Sequence, residues 1–87
     1  MKLNGTFALR EIAGEILVVP VGNTALSLNG MIVLNPVSKV IWESLEQDAD
    51  RDEMLKRITE QFDVSEAVAK KDLDAFLKEL AEHKLIV

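Results

Sequence analysis

The sequence predicts an α+β fold, a small antiparallel sheet of three or four strands followed by three helices. Three observations carry this. Apolar and polar residues alternate through the first third of the chain, two-residue turn signals punctuate it, and from Asn35 onward the apolar residues recur at helical spacing behind capping residues. Strands segregated ahead of helices define the class. At 87 residues there is room for a single domain and a single core, spanning residues 1–87.

The strands come first. Phe7-Ala8-Leu9-Arg10-Glu11-Ile12 alternates with Phe7 and Leu9 inward and Ile12 as a further inward candidate, and Ala13-Gly14 offers the two-residue connection that hairpins favour. Glu15-Ile16-Leu17-Val18-Val19 is a β-branched strand ended by Pro20, and Gly22-Asn23 marks a loop. Ala25-Leu26-Ser27-Leu28 restarts the strand pattern, and Asn29-Gly30 is a strong signal for a type I′ turn into Met31-Ile32-Val33-Leu34.

Three helices follow. Asn35 caps the first, with Pro36 at its first position where the missing N–H costs nothing, and Val37, Val40, Ile41 and Leu45 share a face with Trp42 at its margin. Asp50 and Glu53 form the capping box of the second, whose stripe is Leu55, Ile58 and Phe62. Ser65 caps the third, with Ala69, Leu73, Phe76 and Leu80 toward the core, and Leu85-Ile86-Val87 forms an apolar tail.

Composition narrows the function. With 48% hydrophobic and 29% charged residues the chain can bury a core, so it reads as globular rather than disordered. No apolar run approaches the roughly 20 residues that span a bilayer, and Met1-Lys2-Leu3-Asn4-Gly5 shows no signal-peptide pattern, so a cytoplasmic protein without a membrane partner is expected. A net charge of −5 disfavours nucleic acid, whose phosphates demand a basic face.

Catalytic sets are absent from the pattern. There is no cysteine for thiolate or cysteine-rich metal chemistry, and the one histidine, His83, falls at a helix end where it suits the helix dipole. Ser27, Ser38, Ser44 and Ser65 lack a neighbouring base. Asp48, Asp50, Asp52 and Glu53 are dense, but they lack the alternation and central glycine of a calcium loop and read as a solvated turn. Gly5, Gly14, Gly22 and Gly30 are spread over turns and make no phosphate loop. No enzyme activity, metal or cofactor is expected. Trp42 reads as a core anchor, with a partner-facing role as the alternative, and Lys70-Lys71 and Lys78 as a solvated back. On the third helix Leu77, flanked by Lys70, Asp74 and Ala81, marks either the wall of a groove or a wider core stripe.

The run Leu28-Asn29-Gly30-Met31-Ile32-Val33-Leu34-Asn35, the helix bearing Ile41-Trp42, the stretch from Leu55 to Phe62-Asp63-Val64, and the ending with Asp72-Leu73, Phe76-Leu77, Leu80 and Leu85-Ile86 together resemble one family. It is the PqqD-like family (pyrroloquinoline quinone biosynthesis protein D), whose fold is the RiPP precursor peptide recognition element. The resemblance covers roughly residues 6–87. It implies a winged helix-turn-helix and a peptide chaperone that binds the leader of a ribosomally made precursor by strand addition. The leader would then be presented to a modifying enzyme, often a radical SAM protein. Transferred to this sequence, the docking strand is Met31, Ile32, Val33 and Leu34, and the opposing wall carries Lys70, Asp74, Leu77 and Ala81. Lys70 or Lys78 would then pair with an acidic leader. Lys84 stands where the family usually has glycine, which leaves open whether that position takes a left-handed cap. The other classes weighed are a winged helix DNA-binding regulator and a structural module that forms a homodimer through its sheet edge.

Overall fold

Strands β1 (Phe7–Ile12) and β2 (Glu15–Pro20) form an antiparallel hairpin in the computed structural model, which describes residues 1–27 and 31–87. Ala13 and Gly14 take φ values of 52° and 83° at its turn, the pair of left-handed conformations that a type I′ connection requires. Strand β3 (Ile32–Leu34) pairs antiparallel with β2, Val18 opposite Ile32 and Ile16 opposite Leu34, so the order β1-β2-β3 leaves β3 at an edge. This register sends Phe7, Leu9, Ile16, Val18, Ile32 and Leu34 to one face, where all six pack on the helices, whereas Ile12, the further inward candidate, falls on the opposite face by the two-residue period and is exposed.

Between β2 and β3 the structure corrects the sequence reading. Residues 24–27 form a single helical turn, α1 (Thr24–Ser27), in place of a restarted strand. The Ala25 and Leu26 N–H groups donate to the carbonyls of Gly22 and Asn23 at 3.1 and 3.2 Å. A short apolar run with no partner strand closes its backbone bonds locally instead. Leu28 and the Asn29-Gly30 turn lie outside the described residues, and the described sheet has three strands.

The three longer helices are α2 (Pro36–Glu46), α3 (Arg51–Gln61) and α4 (Glu66–Glu82). Asn35, Asp50 and Ser65 cap them, their side-chain oxygens accepting from the N–H groups of Ser38, Glu53 and Val68 at 2.8, 2.8 and 3.2 Å. The Glu53 carboxylate turns to Arg57, which donates to it at 2.9 Å.

Helices α2 and α4 end in the same way. The Ala49 N–H reaches back to Ser44 O at 2.9 Å and Asp48 N–H to Leu45 O at 3.1 Å; Leu85 reaches Leu80 O at 2.8 Å and Lys84 reaches Ala81 O at 3.0 Å. These are Schellman motifs, with Asp48 (φ 55°) and Lys84 (φ 60°) in the left-handed position that glycine normally holds. Lys84 thus adopts the cap that its residue type left open.

Trp42 sits at the centre of the core, fully buried with Ile41, Met54, Ile58, Leu73, Leu80 and Val18 around it. Ser44, also fully buried, donates to Val40 O at 2.7 Å and accepts from Arg57 at 3.0 Å, so the one buried polar side chain among the described residues ties α2 to α3. Leu3 bridges Ile86, and the Asn4 N–H donates to Leu85 O at 2.8 Å, which holds the tail against the first residues. No described helix is long and apolar enough to cross a membrane.

A non-glycine residue held left-handed is strained. Lys84→Gly is therefore expected to raise the unfolding free energy by about 0.5–1 kcal/mol, after allowing for glycine's greater freedom in the unfolded chain. Urea titration reads this as a higher midpoint at unchanged slope.

Candidate functional site

The register fixes what the free edge offers. A two-residue turn makes Ile12 and Glu15 a hydrogen-bonded pair, and at the far end of the same ladder the Val21 N–H donates to Thr6 O at 3.0 Å. Such pairs alternate, so Ile16 and Val18 turn their backbone groups to β3 and meet Leu34 and Ile32. Val33 then points its own N–H and C=O outward, and no described strand pairs with that edge. Val33 on β3 and Met31 just before it, where the sequence reading begins the strand, are 62% and 59% exposed.

Beneath the edge, a cavity of about 440 Å³ opens between β3 and α4. The buried Val18, Leu80 and Leu85 floor it beside Phe7, while Ile32 and Phe76 stand on its two sides. Met31 and Val33 rim it on the strand side, Glu79 and His83 on the helix side. A second cavity of about 270 Å³ continues from it toward the start of α2, sharing Phe76 and Glu79 and adding Asn35, Ser38 and Asp72. Together they form a trough whose larger end has an apolar floor with Glu79 and His83 at its rim, and whose smaller end joins Asp72 to the shared Glu79 beside Val37, Ile41 and Ala75.

Met31, Ile32 and Val33 line this trough, and Leu34 lies buried beside it in the core. The four helix residues expected opposite them stand elsewhere. Leu77 is 8% exposed and belongs to the core, so the wider stripe is what the residue marks. The Asp74 carboxylate faces α3, where Arg51 holds it through two hydrogen bonds of 2.8 Å. Lys70 and Ala81 are exposed and line neither cavity. At 100° per residue these four occupy one flank of the α4 core stripe, while Asp72, Phe76, Glu79 and His83 occupy the other, and β3 faces the second flank. Phe76 was legible only as a core residue. The signal for its neighbours is their 4-3-4 spacing around it.

The arginine content is also committed. Arg51 pairs with Asp74, Arg57 with Glu53 and Ser44, and Arg10 donates to the Leu9 carbonyl. Hydrogen bonding to Arg51 holds the Asp74 carboxyl below the ordinary carboxylate range. Burial, with Glu43 nearby, raises Glu46.

An α+β winged helix-turn-helix whose edge strand and last helix bound an open trough is the build of a PqqD-like recognition element. The chain belongs to the PqqD family: the family described as Coenzyme PQQ synthesis protein D (PqqD) matches residues 16–86. Its fold is similar to that of TbiB1, solved in complex with the TbiA(beta) leader peptide, with a TM-score of 0.75 at 23% identity over 99% of this chain and 94% of that one. No curated protein matches it in sequence.

The Arg51–Asp74 pair gives a pH prediction. Because the folded-state pKa of Asp74 is depressed, its contribution to stability is present above the unfolded pKa and disappears as pH falls through the folded one. Asp74→Asn is expected to be less stable than the parent at neutral pH, with the gap closing below the ordinary carboxylate range; denaturant titrations across pH 2–7 read it as converging midpoints.

Proposed function

We propose that this protein is a non-catalytic peptide chaperone of the cytoplasm, which binds the leader of a ribosomally synthesised precursor by strand addition and presents it to a modifying enzyme of the radical SAM class. The observation that carries this is the outward N–H and C=O of Val33 on an unpaired edge, directly above an apolar cavity. Backbone groups on an edge pair with any extended chain, and the pocket behind them reads alternate side chains. Family membership supports the reading, and so does TbiB1, whose structure holds a leader peptide. The contacts on this chain are Ile32, Val33 and Leu34 on the strand and Met31 just before it, with Phe76, Glu79 and His83 across from them.

Each backbone hydrogen bond contributes a net of about 0.5–1.5 kcal/mol, so the strand pairing alone gives weak binding and the pocket supplies selectivity. Committed arginines and the net charge of −5 leave little for duplex DNA.

The test is a titration of candidate leader peptides, drawn from any short precursor encoded near this gene, followed by amide NMR shifts. Shifts are expected at Ile32, Val33 and Leu34 and across Phe76, Glu79 and His83; none there at saturating peptide would sink the reading. Val33→Pro removes the outward donor while leaving the bonds of Ile32 and Leu34 to β2, and is expected to weaken binding roughly two- to twelvefold. The same variant is expected to slow leader-dependent modification by a radical SAM enzyme that accepts the bound peptide, at subsaturating peptide.

A further inference from the structure

We infer that the trough selects a strand carrying an apolar side chain and, two positions along toward the Asn35 end, a lysine or arginine. This rests on the strand-addition reading of the same edge. A strand laid antiparallel on β3 sets one residue opposite Val33, and that residue's side chain shares the outer face with Val33. Its neighbours on either side lie opposite Ile32 and Leu34 and point inward. Those two inward positions are about 6.6 Å apart.

They meet different chemistry. The position opposite Ile32 looks into the larger cavity, where Val18, Phe76 and Leu80 favour an apolar group. The position opposite Leu34 lies next to Asn35, which lines the smaller cavity with Ser38, Asp72 and Glu79. The Asp72 and Glu79 carboxylates have no hydrogen-bond or ion-pair partner among the described residues. Asp74, on the other flank, has its charge met by Arg51.

Among the described residues no lysine, arginine or histidine lines the smaller cavity. Lys71 and Lys78 adjoin Asp72 and Glu79 in sequence but stand about 100° around the helix and line neither cavity. His83 lines only the apolar cavity. A lysine or arginine stem covers the Phe76 ring shared by the two cavities and carries its charge to the carboxylates. A glutamate placed there meets two like charges. The charge preference is thus the reverse of the acidic leader that Lys70 and Lys78 suggested from sequence.

The test uses 12-residue peptides recovered by display panning against the whole protein, each resynthesised with lysine, glutamine or glutamate at the inward position nearer Asn35. The lysine form is expected to bind about three- to fivefold tighter than glutamine, with glutamate weaker still. In the Asp72→Asn, Glu79→Gln double variant the lysine advantage is expected to fall below about 1.5-fold, while Lys70→Glu leaves it unchanged. Both replaced residues are exposed, and an unchanged thermal midpoint shows that the variant is folded. Peptides that shift Ile32, Val33 and Leu34 but bind alike in all three forms overturn the charge selection and leave strand addition standing. Failure to recover any binder, or binders that leave those amides unmoved, overturns both.

Discussion

The edge-to-face contact between Phe7 and Trp42 joins everything else in this small domain. The rings cross at 90° with centroids 5.2 Å apart, a geometry that adds about 0.5–1.5 kcal/mol to the burial of the rings themselves. Trp42 is fully buried on α2, so it cannot shift without moving the helix that begins immediately after β3. Phe7 comes from β1 at the other side of the sheet and lines the cavity floor. The centre of the core and the floor of the trough therefore share one wall, and the position of the edge strand follows from both.

This arrangement reconciles two opposing demands. An exposed strand edge invites indiscriminate pairing, and proteins restrain such edges by keeping them short or interrupting them. Here β3 is three residues long and is stopped by Asn35-Pro36, which turns the chain into α2. Around Val33 an outward pair of backbone groups is presented above the pocket. Helix α4 supplies the opposite wall and is held to α3 by the Arg51–Asp74 pair, well away from the opening.

Much of this was legible in the sequence because it is local. Asn35, Asp50 and Ser65 cap where their side chains can reach the next turn, and Ala13-Gly14 closes its hairpin with no help from distant residues. A strand at Ile32–Leu34 was legible too, but its partner was not, since it pairs with β2 rather than with residues 25–27. Nor was the facing wall. Helical periodicity gives α4 a core stripe with two flanks, but which flank meets the sheet depends on how the helix approaches β3, and nothing in its own sequence encodes that. Leu77 belonged to the core, and Phe76, Glu79 and His83 turned out to face the strand. The segment at residues 24–27 misled for a related reason, since a short apolar run takes whichever backbone pairing its neighbours leave open.

The tie between Asn4 and the tail reaches further than a chain-end anchor. The Asn4 backbone N–H holds Leu85 O at 2.8 Å, its side chain donates to Lys84 O at 3.0 Å, and Leu85 is part of the cavity floor. A residue eighty positions upstream in sequence thus helps set the depth of the trough that the tail completes. The first few residues act as a brace for the trough, so altering them changes its floor even though they touch no part of the opening.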